Sequence, residues 1–218
     1  MVAVRDLAPD DIELVTRIYA HHVLNGTGTF EEIPLSADEM RHRAEKIAGR
    51  GLPWLVAEAD GAVVGYAYAD RFRERTAYRF TLEDSVYIDP AHFRRGIGRA
   101  LLKELIARCE ALGYRQIIAV IGDSANDGSL RLHGDVGFEL CGVYKKVGLK
   151  FGRWLDVVLM QRELGGGQRQ HPCRLAPRGR AERPFDGDNP RFPFTVSCIN
   201  LHAKCPARGL ALDEFPRL

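Results

Sequence analysis

The chain is short of several things, and each shortage closes a route. It has five cysteines among 218 residues. That odd number is thinly spread, with only Cys109 and Cys141 in the stretch that patterns as folded, so no disulfide framework is written here. No apolar run approaches the ~20 residues of a membrane span, and MVAVRDLAPDD carries no basic-then-apolar signal pattern. A cytoplasmic protein is the default expectation. Charge of one sign is lacking too: the formal net charge is only +2. Nine of the 31 basic and five of the 29 acidic residues fall in 165–218, so that tail carries +4 and residues 1–164 carry −2. No module of interleaved aromatic and basic residues points to nucleic acid. Cys198, His202 and Cys205, with His171 or Cys173 upstream, match no zinc-ligand spacing, and no metal is expected.

What is present centres on Asp84 to Leu102, DSVYIDPAHFRRGIGRALL. Val86, Tyr87 and Ile88 read as the end of a strand, which Asp89-Pro90 breaks. Arg94-Arg95-Gly96-Ile97-Gly98-Arg99 follows, and a helix is expected over Ala100 to Leu112. Two glycines at a strand-to-helix turn let the backbone approach a bulky group closely. The unsatisfied N–H groups of the helix start carry the positive end of its dipole, and three arginines add full charges. A phosphate-rich ligand suits this; the plain alternative is a Gly-rich turn with a solvated basic helix start. A P-loop would need Gly-Lys-Ser/Thr, but Gly98 is followed by Arg99-Ala100. A dinucleotide fingerprint would need Gly or Ala where Leu101 stands.

The stretch resembles the acetyl-coenzyme A loop of the GCN5-related N-acetyltransferases, Gln/Arg-x-x-Gly-x-Gly/Ala. The first position, Phe93, departs from that pattern, and Arg94 and Arg95 can make up the charge.

The rest of the chain fits around it. Val2 to Leu7 alternates as a first strand. Pro9-Asp10-Asp11 starts a helix with apolar residues at Ile12, Val15, Ile18, Tyr19 and Val23, near whose end His21 and His22 suit a solvated or carbonyl-bonding role. Ser36-x-x-Glu39 is a capping box for a second helix to about Gly51. Trp54–Ala59 and Ala62–Asp70 form a hairpin about Asp60-Gly61. Arg79 to Ile88 leads into the central loop. Gln116 to Ile121 reads as a strand buried on both faces. Asp127 to Val136 is a short helix, and 138–150 and 154–162 are a closing antiparallel pair. The order β-αα-βββ-α-β-α-ββ is that of the acetyltransferase fold, an α/β (α+β) domain with a mixed, mostly antiparallel sheet flanked by helices. It is expected over 1–164. Residues 165–218, opened by Gly165-Gly166-Gly167, read as a Gly/Pro/Arg-rich extension with poor order.

Several further segments resemble the phosphinothricin acetyltransferase branch of that family: Ala77-Tyr78, Thr81-Leu82-Glu83-Asp84-Ser85-Val86-Tyr87, Ala119-Val120-Ile121 with Asn126, Ser129 to His133, and Lys150 to Asp156. The resemblance implies Glu83 as general base. It implies acetyl-CoA as co-substrate, held by Val86, Tyr87 and Ile88, by Arg94, Arg95, Gly96, Ile97, Gly98 and Arg99, and by Asn126 and Ser129. It places Phe30, Phe72, Arg73, Arg75 and Tyr78 against a small-molecule amine substrate, an amino-acid analogue such as phosphinothricin, methionine sulfone or methionine sulfoximine. It implies a homodimer, with Tyr144 and Trp154 packing in the sheet and the dimer.

Acyl transfer to an amine needs a base, because an ammonium is not nucleophilic, and donors for the oxyanion. A half-buried Glu83 would have a raised pKa suited to the first task. Asp84, one residue on, faces the other way. By residue type alone, Glu83 could equally be a surface carboxylate paired with an arginine. One or two of Arg71, Arg73, Arg75 and Arg79 would suit a substrate carboxylate or phosphinate, and His133 reads as a polar packing residue. Acetylation of protein N-termini or polyamines, and non-catalytic acyl-CoA sensing, are the rival readings.

Overall fold

The computed structural model describes residues 2–169. The tail from 170 onward, with His171, Cys173, Cys198, His202 and Cys205, lies outside the described residues.

Seven strands form one sheet: β1 (Ala3–Asp6), β2 (Trp54–Ala59), β3 (Ala62–Arg71), β4 (Thr81–Ile88), β5 (Gln116–Gly122), β6 (Glu139–Lys150) and β7 (Arg153–Glu163). Their spatial order is β1-β2-β3-β4-β5-β7-β6. Every neighbouring pair is antiparallel except β4 and β5. Four helices complete the domain: α1 (Ile12–Asn25), α2 (Ala37–Gly49), α3 (Ile97–Ala111) and α4 (Asp127–Asp135). The mixed, mostly antiparallel sheet with flanking helices is the expected fold. None of these helices is long and apolar enough to cross a membrane.

Each helix has a local cause. α2 begins on its capping box: Ser36 Oγ accepts from the Glu39 N–H at 3.3 Å, and Glu39 Oε2 accepts from the Ser36 N–H at 2.8 Å. Such a cap contributes about 1 kcal/mol. It ends by Gly51, whose φ of +69° no helix tolerates. α3 starts three residues earlier than its apolar pattern suggested, because Gly96 at φ +77° turns the chain directly into it. Its Leu101, Leu102, Leu105 and Ile106 are buried in the core, each contributing about 1.5–3 kcal/mol by leaving water. β4 begins at Thr81, since Thr76–Tyr78 form a turn of 3-10 helix.

The two faces of β4 carry different chemistry. Glu83, Ser85 and Tyr87 share one side, opposite Asp70, Tyr68 and Tyr66 of β3. α1 covers this side, with Tyr19 edge-on to Tyr87 at 5.1 Å between ring centres. Leu82, Asp84 and Val86 look the other way, where α4 brings His133 to Asp84. Strand β5 is not buried on both faces as its sequence suggested: Val120 is 38% exposed. The reason is that β4 leaves it there, so Val120 lines a cleft.

Candidate active site

β4 pairs with β3 from Leu82 to Ile88, but with β5 only from Thr81↔Gln116 to Asp84↔Ala119. Beyond Asp84 the two strands part around a cleft of about 1330 Å³. Along an antiparallel ladder, successive residues turn their backbone groups to opposite edges. The Asp89 N–H donates to the Val64 carbonyl at 2.9 Å, which fixes the phase: Glu83, Ser85 and Tyr87 bond toward β3. Val86 and Ile88 therefore present N–H and C=O to the side that β5 has left. His22 Nε2–H donates to the Ile88 carbonyl at 2.8 Å, the carbonyl-bonding role its place in the sequence suggested. Burial lowers the pKa of His22, in keeping with a neutral ring that donates once. The N–H groups of Val86 and Ile88 and the Val86 carbonyl face no strand. Such groups need a partner, and an acyl-pantetheine arm has matching amides and a carbonyl.

The far end of the cleft is the turn into α3. Arg94 at φ +61° and Gly96 at φ +77° are both left-handed, which aims successive backbone N–H groups one way. The first intrahelical bond there is from the Ala100 N–H to the Gly96 carbonyl, at 3.1 Å. The N–H groups of Ile97, Gly98 and Arg99 precede it with no helical acceptor. Arg94 and Arg99 line the cleft, Arg99 also pairing with Asp135. Arg95 is exposed and does not line it. Ile97 is buried in the core and brings only its backbone. Gly98 packs closely on α4: a Cβ there would sit 2.9 Å from the end of the Leu132 side chain, which would have to shift. Free amides, a helix N-terminus and two guanidiniums fit a diphosphate.

One wall is α4. Asn126 caps it, accepting from the Ser129 N–H at 3.2 Å, and both residues line the cleft. The facing wall includes the segment after α1. Thr27 Oγ donates to Asp123 Oδ2 at 3.0 Å, Tyr19 and Thr29 hydroxyls meet at 3.1 Å, and Lys150 Nζ donates to the Thr29 carbonyl at 2.7 Å. Phe30 packs on Gly148 and borders the cleft.

Glu83 stands where the strands begin to part. Its carboxyl is pushed up to about 7, by burial first and then by the neighbouring charges of Asp84 and Asp70, with Arg73 opposing. Among the described residues no ion pair or hydrogen bond engages that carboxylate, so it is not the arginine-paired surface group that residue type alone allowed. A carboxyl so placed carries its proton near neutrality and exchanges it readily.

Glu83, Val86, Tyr87, Ile88, Arg94, Gly96, Gly98, Arg99, Asn126, Ser129 and Phe30 are brought together around this cleft. Phe72, Arg73, Arg75 and Tyr78 are not among the residues lining it. Arg73 lies over the Phe72 ring at 5.0 Å, Phe72 packs edge-on to Tyr78 at 5.7 Å, and Arg75 is exposed. Sequence reasoning missed Tyr19, Glu31, Arg43, Tyr68 and Asp70, all of which line the cleft. Tyr68 and Asp70 carried a signal, being two alternate residues of one strand; Glu31 and Arg43 carried none. Among the described residues no cluster of three or more His, Cys, Asp or Glu is placed to hold a metal.

Known proteins share this sequence and fold. The profile of the acetyltransferase (GNAT) family matches residues 17–138. The phosphinothricin N-acetyltransferase of Alcaligenes faecalis is 56% identical over 169 residues, covering 78% of this chain and 86% of that one. The L-methionine sulfoximine/L-methionine sulfone acetyltransferase of Salmonella typhimurium is 38% identical over 154 residues, 71% of this chain and 90% of that one. A crystal structure of a GNAT superfamily phosphinothricin acetyltransferase from Sinorhizobium meliloti, in complex with acetyl-CoA, superposes with a TM-score of 0.77 at 51% identity, covering 78% of this chain and 92% of that one. With its parted strands, its amide-lined turn and these relatives, the chain belongs to the GNAT family of acetyltransferases.

Proposed function

We propose that the protein moves an acetyl group from acetyl-CoA to the α-amine of a small amino-acid analogue of the phosphinothricin, methionine sulfone or methionine sulfoximine type, by direct attack, with Glu83 as general base. The observation that carries this reading is Glu83 itself: a half-buried carboxyl with raised proton affinity and no partner, at the point where β4 leaves β5.

Acetyl-CoA supplies an activated acyl group on a thiol leaving group. The chain's residues do the rest. Glu83 takes the proton that an ammonium substrate must lose before it can attack. The free N–H groups of Val86 and Ile88 suit a carbonyl oxygen that gathers negative charge. The turn from Arg94 to Arg99 holds the diphosphate, and Asn126 and Ser129 border the pantetheine side. The relatives named for phosphinothricin and for methionine sulfoximine and sulfone support the substrate class.

The protein acts as a homodimer in this reading. Trp154 and its register partner Leu149 are 62% and 52% exposed at the end of the β6–β7 hairpin, beside exposed Phe151, and Tyr144 is 56% exposed on the other face of β6. The exposed apolar residues of this hairpin suit a contact surface.

The test is an acetylation screen of methionine sulfone, methionine sulfoximine and phosphinothricin, with polyamines and an N-terminal peptide as controls, for the wild type and Glu83→Gln. Turnover of the three acids that falls by about two orders of magnitude or more in the variant supports the reading. Preference for the controls, or acetyl-CoA binding without turnover of any amine, sinks it.

A further inference from the structure

Between α1 and α2 the chain runs over residues 26–36 without a helix or strand of its own. Thr27, Gly28, Thr29, Phe30 and Glu31 of this crossing line the cleft. Gly28 stands on the cofactor side, where a Cβ would lie 3.5 Å from Asn126 Nδ2. Thr29 to Glu31 pass to the face of the sheet that bears Glu83. There the Thr29 hydroxyl meets that of Tyr19 at 3.1 Å, and Glu31 Oε1 accepts from Arg43 Nη2 at 2.7 Å. Tyr19 packs on Tyr87, which shares Glu83's side of β4. A segment with no ladder of its own is placed by whatever grips its backbone.

Among the described residues, no backbone–backbone hydrogen bond reaches residues 27–35. Their main chain is bonded from outside at a single point: Lys150 Nζ donates to the Thr29 carbonyl at 2.7 Å, from 121 positions away in sequence. Lys150 closes β6, is 1% exposed and does not line the cleft. Taking an ammonium out of water is costly, and lysines buried this far are usually paired with an acid. Among the described residues no carboxylate stands within ion-pair distance of Lys150. Burial lowers its pKa, and the charges of Glu32 and Glu31, farther off, oppose that. Gly148 is alternate to Lys150 and shares its face of β6. It leaves room for the Phe30 ring, since a Cβ there would lie 2.4 Å from Cε1. By register this face is the one turned away from Leu149 and Trp154.

We infer that Lys150 is a positioning residue for the amine side of the site: from the end of β6 it fixes the main chain at Thr29 and so sets where Phe30 and Glu31 stand in the cleft. This rests on the acetyl-transfer reading and adds to it a residue that touches neither acetyl-CoA nor the amine. A charged donor on a carbonyl makes a stronger tie than a neutral one. Without it the crossing is held by side chains alone, Thr27 to Asp123, Thr29 to Tyr19 and Glu31 to Arg43, and each of these can swing with the chain. The free edge of β4, the turn from Arg94 to Arg99 and α4, which suit acetyl-CoA, make no bond to Lys150.

The test compares the wild type with Lys150→Met, which keeps the length of the side chain and removes the donor, and with Lys150→Arg, which keeps a charged donor. KM and kcat are measured for methionine sulfone, Kd for acetyl-CoA by calorimetry, and chymotryptic cleavage after Phe30 is timed by mass spectrometry. In Lys150→Met the KM for methionine sulfone is expected to rise about 10-fold or more, as loss of a bond from a charged donor implies. The Kd for acetyl-CoA should move less than about twofold, which also shows that the variant has folded. Cleavage after Phe30 should quicken about 10-fold, because the open state of a loosened segment is what a protease meets. Light scattering should match the wild type, which keeps assembly out of the effect, and Lys150→Arg should recover part of the loss. Equal weakening toward acetyl-CoA and methionine sulfone would make Lys150 a packing residue and overturn the inference, as would an unchanged KM or an unchanged cleavage rate in Lys150→Met. Wild-type protein that acetylates none of the proposed acids overturns the substrate class instead, and the cleavage rate then decides whether Lys150 holds the crossing.

Discussion

His133 and Asp84 meet at 3.0 Å on the side of β4 turned away from Glu83, their side chains 3% and 1% exposed. His133 Nδ1 also lies 2.8 Å from the Ser129 carbonyl. A carbonyl only accepts, so Nδ1 carries a hydrogen. Asp84 at Nε2 favours a proton on that nitrogen as well. Burial would lower its pKa, but the hydrogen bond and charge of Asp84 outweigh that and raise it. The pair fastens α4, and with it Ser129, to the last rung that β4 shares with β5. Breaking such a buried pair from one side costs about 3–5 kcal/mol. Denaturant unfolding of His133→Ala should show a loss of that size. The sign of the pH effect comes from the raised pKa: this stabilisation is whole below the unfolded value of about 6.5 and fades as pH rises through the higher folded one. The variant should lose that alkaline decline, and an unchanged profile would count against the ion pair.

Glu83 should set the acid limb of the reaction. Its carboxyl has been pushed up to about 7, and only the ionised form accepts a proton. Log kcat/KM is therefore expected to climb with unit slope below about pH 7 and level off above it. Glu83→Gln should lower the rate by about two or more orders of magnitude and remove that limb. A limb that persists in the variant belongs to another group. Asp70→Asn takes away one of the charges that raise this pKa, so the midpoint should move down. Asp84 lies on the opposite face of the strand, which keeps its contribution separable from that of Asp70.

The architecture was legible because its signals are local. The Ser36–Glu39 box, the Asp60-Gly61 turn and the left-handed Gly96 each write themselves in a few adjacent residues. The amide-rich turn was legible for the same reason, whereas the place of Glu83 beside the cleft came from the resemblance of its segment and not from its residue type. The opposite wall was not. Arg43 reaches the cleft only because α2 packs against the sheet in one rotation, and Glu31 lies 12 positions away from it in the chain. Nothing in the spacing of charges reports that. Of the arginines of the β3–β4 connection, Arg73 lies over Phe72 and Arg79 lies over Phe80 with a bond to the Thr76 carbonyl, while the charge of Arg73 also bears on Glu83. The exposure of Val120 was hidden as well, because IIAVI looks like a strand covered on both sides until its neighbour departs.

Gly122 is where β5 meets the segment after α1. A Cβ there would lie 2.4 Å from the Thr27 carbonyl, a backbone atom that cannot turn aside. Gly122→Ala should force the 27–29 crossing outward, straining the Thr27–Asp123 bond at 3.0 Å. A destabilisation of about 1–3 kcal/mol is expected, with a higher KM for acetyl-CoA, since this segment borders the cleft. Gly134→Ala is the matched control: it lies in α4 with nothing within 4 Å of the added methyl. It should be neutral or stabilising by up to about 1 kcal/mol. Equal behaviour of the two alanines would mean that the crossing is pliable.

Trp154 reports on assembly. It pairs in register with Leu149 on the β6–β7 hairpin, and β6 is an edge strand of the sheet. Both side chains are more than half exposed in the single chain. Edge strands left open in this way pair with other molecules unless they are charged or covered. A symmetric dimer would cover this face with its own copy, since each protomer offers the same apolar patch to the other. Trp154→Glu places a charge in the middle of that contact, where desolvating it without a partner is costly. Light scattering at micromolar concentration should then find a dimer for the wild type and a monomer for the variant. Circular dichroism should be unchanged, because the residue bears little of the core. A wild type that scatters as a monomer at that concentration refutes the assignment of this face.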